Sequence, residues 1–140
     1  MRPVDRLVAV DAPLTDTWQT LIDAERWPEW VSGLRSVEVH PPGKVDRNTS
    51  ATLRYTSGRS MYVAVTEFRP GRSFRWTGRF FGASVSYDHV ATSAGRGSEI
   101  LFIMEVTGPT ARFVGPWLGR AYARQLDGSI PRLEERLAEG

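Results

Sequence analysis

Between Leu34 and Thr107 the hydrophobic period is two, and turn-forming residues interrupt it at short intervals. That pattern predicts strands over Leu34 to His40, Thr49 to Thr56, Ser60 to Phe68, Ser73 to Phe80, Ala83 to Ser93 and Ser98 to Thr107. The interruptions are Pro41-Pro42-Gly43, Ser57-Gly58, Pro70-Gly71, Gly82 and Gly95-Arg96-Gly97. Such residues supply the fixed or positive φ that tight turns need. Connections this short join neighbouring strands in opposite directions, so the block reads as an antiparallel meander.

Different periods flank the block. Val4 to Val10 alternates and predicts a first strand. Pro13 suits the first turn of a helix carrying Leu14, Trp18, Leu21 and Ile22, and a second short helix from near Glu25 carries Trp27 and Trp30. After Gly108-Pro109, Leu118, Tyr122, Leu126, Ile130, Leu133 and Leu137 form one apolar stripe of a long helix. Pro131 lacks a backbone donor, which predicts a kink or pause near Gly128 to Ile130. The order is strand, two short helices, six strands, long helix. No repeat, low-complexity tract or linker divides it, so residues 1–140 are expected to form one domain.

Strand pairing then sorts side chains between faces. With a turn at Ala94 to Gly97, Ser93 lies opposite Ser98, followed by Ala91 with Ile100, His89 with Phe102, Tyr87 with Met104, and Val85 with Val106. A one-residue slip would instead bury Glu99 and Glu105, at high cost for unpaired carboxylates. The same reasoning around Pro70-Gly71 places Tyr62, Thr66, Phe68, Phe74 and Trp76 on the inner face. The face of Arg54 stays open, since Leu53 and Tyr55 compete for it. The expected ligand-lining set is Tyr62, Phe68, Phe74, Trp76, Phe102, Met104, Leu118 and Tyr122, an apolar wall with a few polar tips. The opposite face carries Leu7, Val90, Leu101 and Ile103, an apolar patch that suggests a homodimer contact.

Composition excludes several classes. There is no cysteine, hence no disulfide and no thiolate, and the two histidines sit in no carboxylate cluster, so no metal is expected. No phosphate loop, dinucleotide fingerprint or serine elbow occurs, and no cofactor is expected. Eighteen basic residues face 16 acidic ones, for a net charge of +2. That balance, with Arg75 and Arg79 alternating away from Phe74 and Trp76, argues against nucleic acid. No apolar run approaches the ~20 residues of a membrane span. The first residues lack an apolar signal core, and the expectation is a cytoplasmic protein without stable membrane insertion.

Val10-Asp11-Ala12-Pro13, Thr17-Trp18, Leu21-Ile22-Asp23 and Trp27-Pro28-Glu29-Trp30 resemble the opening of the SRPBCC (START-like) superfamily, and of its polyketide cyclase/dehydrase-like family in particular. The stretches from Thr66 to Trp76 and from Gly95 to Ile100 are similar to that superfamily's hairpins, although many members carry Thr where this chain has Ser98. The resemblance implies an α+β helix-grip fold: a curved seven-stranded antiparallel sheet around a long C-terminal helix, two short helices after the first strand, and an internal apolar cavity. It implies binding of a polyketide, lipid or similar hydrophobic metabolite, with or without cofactor-independent cyclase or dehydratase chemistry. The alternative is a non-catalytic lipid or quinone carrier, or a partner-binding accessory protein. If the chain is an enzyme, His89 is the expected acid–base group, with Tyr87 polarising a carbonyl from the same strand face. The plainer account of His89 is a core histidine bonded to backbone.

Overall fold

The computed structural model describes residues 3–139. Strand β1 (Val4–Val10) leads into helix α1 (Leu14–Ile22) and a 3₁₀ segment (Ala24–Glu29). Strands β2 (Leu34–His40), β3 (Ser50–Tyr55), β4 (Ser60–Arg69), β5 (Ser73–Phe80), β6 (Ala83–Ala94) and β7 (Gly97–Thr107) follow, and helix α2 (Ala111–Glu139) closes the chain. The strands form one seven-stranded sheet of order β1-β7-β6-β5-β4-β3-β2, every pair antiparallel. This is the helix-grip fold.

The β6–β7 hairpin has the register that carboxylate burial dictates. Ala91 pairs Ile100, His89 pairs Phe102, Tyr87 pairs Met104 and Val85 pairs Val106. All eight are buried, in an apolar layer that faces inward. On the outer face the row Glu67, Arg75 and Asp88 crosses three strands, and Arg75 grips Asp88 through Nε and Nη2 at 2.7 and 3.2 Å. Arg54 also lies outside, 3.0 Å from Glu38, while Leu53 and Tyr55 take the inner side.

Strand β4 departs from the expected alternation. A bulge between Val65 and Glu67 absorbs one residue, so the inward side chains upstream of it are Met61, Val63 and Val65 rather than Tyr62. Tyr62 is 60% exposed on the outer face, and Thr66 is also turned out, against Thr77 Oγ1 at 3.0 Å. Phe68, beyond the bulge, still reaches inward to Trp18. A bulge bends its strand and sharpens the twist. Nearer the start of β4, Gly78 faces Val63 and lets β4 and β5 close up: a Cβ there would lie 2.6 Å from the Tyr62 carbonyl oxygen.

Helix α1 and the 3₁₀ segment plug one end of the curved sheet. Trp18, Leu21 and Ile22 are buried, and Thr17 Oγ1 meets Ser98 Oγ at 2.7 Å while Ser98 donates to the Ala12 carbonyl. Helix α2 lies along the sheet with Leu118, Tyr122, Leu126, Leu133 and Leu137 buried. The expected pause at Pro131 does not occur; the helix runs on to Glu139. One missing donor in a helix packed along much of its length does not end it.

Candidate functional site

The inner space is divided in two. A small chamber of about 50 Å³ lies under α2, and a groove of about 480 Å³ opens beside it. Trp27, Trp30, Trp76, His89, Phe102 and Leu126 surround the chamber. The groove is bordered by the β3–β4 turn, the end of β5 and the first half of α2, including Arg59, Phe80, Trp117, Leu118 and Arg124. Tyr55, Tyr87, Tyr122 and Gln125 line both spaces and stand at their junction.

Burial fixes the protonation of the groups at the junction. Desolvation pushes Tyr55 up to about 12 and raises Tyr87 and Tyr122 as well, so all three remain hydroxyls at neutral pH. Tyr87 and Tyr122 meet edge to face at 5.2 Å. The Tyr87 hydroxyl points at Met61 Sδ, 3.7 Å away, a weak acceptor that a carbonyl oxygen would readily replace.

His89 stands deeper. Its ring stacks on Phe74 at 4.3 Å and 16°, with Trp27, Trp76 and Phe102 also close. Nδ1 lies 3.3 Å from the Phe74 carbonyl, which can only accept, so Nδ1 carries the proton and Nε2 is left as an acceptor. Desolvation brings the imidazole down to about 4, outweighing the Phe74 bond and the attraction of Asp88, which act the other way. His89 is therefore neutral at physiological pH, with an apolar aromatic cage around it.

The structure sorts the expected lining residues. Trp76, Tyr87, His89, Phe102 and Tyr122 border the chamber, and Leu118 borders the groove. Phe74 and Met104 are fully buried and belong to the packed core; Phe68 packs on Trp18; none of the three borders either space. Tyr62 faces away from both. Residues that alternation alone did not single out for the site include Tyr55, Arg59, Trp117 and Gln125. His40 is exposed, near Glu38. Leu7, Leu101 and Val90 do line up across β1, β7 and β6, but only Leu7 is well exposed, and Ile103 sits between Asp5 and Asp88. No group of three or more His, Asp or Glu positioned to hold a metal occurs among the described residues.

The family model described as polyketide cyclase / dehydrase and lipid transport matches residues 1–138. The chain belongs to this family. A search of the curated proteins gives no match. Similar solved structures include the di-domain ARO/CYC protein StfQ of the steffimycin biosynthetic pathway, with TM-score 0.76 at 13% identity. That match covers 98% of this chain and 51% of StfQ, so the chain spans about half of that protein. Protein MLL2253 from Mesorhizobium loti gives 0.74 at 13% identity, covering 99% of this chain and 98% of that one. Ara h 8.0201 gives 0.75 at 11% identity, with 99% of each chain covered. At these identities the likeness is one of fold.

Proposed function

We propose that this protein binds an apolar, oxygen-bearing small molecule, its body in the groove and its oxygens at the junction of groove and chamber. The observation that carries the reading is the placement of Tyr55, Tyr87 and Tyr122 as neutral donors where the two spaces meet, with the acceptor face of neutral His89 beyond them. A groove of about 480 Å³ is in the range that holds small ligands. A tyrosine hydroxyl suits a ketone or quinone oxygen, and His89 Nε2 suits a hydroxyl. The family description and StfQ's name bring polyketide cyclisation forward as the second reading. There Tyr87 would polarise a carbonyl while His89 takes the proton beside it. The low proton affinity of His89 favours binding over this chemistry, because a general base works best with its pKa near the operating pH. We place the protein in the cytoplasm, where it would act without a cofactor, as carrier or cyclase, and assign the Leu7 and Leu101 row to a homodimer.

The test is a titration with matched polycyclic ligands, one bearing ketone and hydroxyl groups and one hydrocarbon, followed by tryptophan fluorescence. Tyr87→Phe and His89→Gln each weaken the oxygenated ligand about 3- to 10-fold, the value of one hydrogen bond, and leave the hydrocarbon unchanged. Equal affinity of parent and both variants for the oxygenated ligand would refute the assignment. Turnover of a reactive polyketone that both substitutions abolish, with binding retained, would select the cyclase.

A further inference from the structure

The groove has a polarity that the chamber lacks. Its border includes two cationic side chains, Arg59 and Arg124, and no Asp or Glu; its other polar members are neutral. Arg59 is held in place, with its guanidinium 4.5 Å from the Trp117 ring centroid and 6.0 Å from that of Phe80. Phe80 and Trp117 in turn stack at 5.6 Å and 18°. The aromatic faces thus fix the position of a charge that a free surface arginine would spread over many rotamers. Arg124 approaches from α2. From Ala111 to Leu126 that helix carries Arg112, Arg120 and Arg124 and no acidic residue, the first being Asp127. Neither Arg59 nor Arg124 has a carboxylate within ion-pair distance among the described residues, whereas the outward Arg54 has one and Arg75 has two.

A ligand therefore meets an acceptor at His89, hydroxyl donors at the three tyrosines, apolar walls at Phe80, Trp117 and Leu118, and two positive charges on the groove's border, Arg59 over Trp117 and Arg124 two helical turns further along α2, next to Gln125. We propose that the ligand is an amphipathic acid whose anionic group is held at the groove's cationic border, which Arg59 and Arg124 supply. The proposal rests on the groove's being the binding site and adds the charge of what it takes. Guanidinium groups pair with carboxylates in a planar, two-pronged contact. A groove with apolar walls lets such a contact act together with burial of the ligand's body.

Anilinonaphthalene sulfonate and its uncharged parent N-phenylnaphthylamine share one aromatic body and differ by a single anionic group. Both fluoresce on leaving water, and the sulfonate stands in for the ligand's carboxylate. At low salt the anion is expected to bind about fivefold or more tighter than the neutral probe, an advantage in the range of two partly exposed ion pairs. The preference shrinks as salt rises. The Arg59→Gln/Arg124→Gln protein, checked for folding by circular dichroism, loses the preference and keeps its affinity for the neutral probe. Arg59→Lys retains part of the preference, and Arg96→Gln, in the turn at the far end of β6, retains all of it. In displacement, dodecanoate outcompetes dodecanol on the parent and not on the double variant. Equal affinity of the parent for the two probes, or a preference that the double variant keeps, would overturn the proposal and leave the groove as a neutral-ligand site. Failure of both probes to bind would overturn the groove itself as a site.

Discussion

Burying His89 ties the stability of the fold to pH, and the size of the effect follows from its surroundings. An exposed imidazole titrates at 6.5, and here the value is about 4. Below 6.5 the unfolded chain takes up a proton that the folded chain refuses until pH approaches 4. The stabilisation from keeping this ring neutral is therefore complete above 6.5 and is lost as pH falls toward 4. A tenfold change in proton affinity is about 1.4 kcal/mol, so the whole displacement is worth about 3 kcal/mol, a large part of the ~5–15 kcal/mol that holds a domain together. Carboxylates titrate in the same range, which is why the parent alone is not the measurement. Urea unfolding of parent and His89→Gln, run side by side from pH 7.5 to pH 4, isolates the ring. The glutamine amide can bond the Phe74 carbonyl but takes no proton, so the parent should lose about 3 kcal/mol relative to the variant across that window. Parent and His89→Gln curves that stay parallel would refute the reasoning, because the ring would then titrate alike in both states.

The division between core and groove gives opposite outcomes for two enlargements: Met104→Trp overpacks a fully buried position and costs about 1–3 kcal/mol, while Leu118→Trp fills the groove wall and weakens probe binding more than it lowers the urea midpoint. Ser129→Ala strands the Ser32 amide, which donates to Ser129 Oγ at 2.8 Å, and should cost about 1–3 kcal/mol by thermal or urea unfolding. Gly78→Ala forces a Cβ against the Tyr62 carbonyl and should destabilise by more than the few tenths typical of a surface change, read by the same assay. If the Leu7 and Leu101 row forms a dimer, light scattering across a dilution series shows it, and Ile103→Glu shifts it to monomer; a monomer at every concentration removes the dimer.

Much of this architecture is legible in the chain because its determinants are local. Alternation in β6 and β7, with Glu99 and Glu105 on the wrong phase for burial, leaves one acceptable register, and that register carries Tyr87 and His89 inward together. The β4 bulge is different. It inserts one residue between Val65 and Glu67 with no turn residue to mark it, so alternation extrapolated back from Phe68 puts Tyr62 on the wrong face. The long helix is legible in its apolar stripe, whereas the pause that Pro131 predicts is absent, because the helix stays packed through it. The groove was the least legible part. Its members come from a turn, a strand end and a distant helix, and Arg59 meets Trp117 only once the sheet has curled. Arg59 and Arg124, taken singly, read as ordinary surface residues.

Helix α2 is fastened unevenly. Its second half is tied by Asp127 to Arg6, by Ser129 to the Ser32 amide, and by Arg132 and Arg136 to Glu29, and Gly128 comes so near Ser32 that even a Cβ would lie 3.0 Å from its hydroxyl. Its first half spans the groove, and the groove-facing Trp117, Ala121 and Arg124 are exposed rather than part of the core. Substitution there is cheap for folding, whereas substitution around the chamber is not. A lineage built on this chain can retune the groove's outer wall at Trp117, Ala121 and Arg124 at little cost to folding, whereas change at the buried Tyr87, Leu118 and Tyr122 alters specificity and stability together.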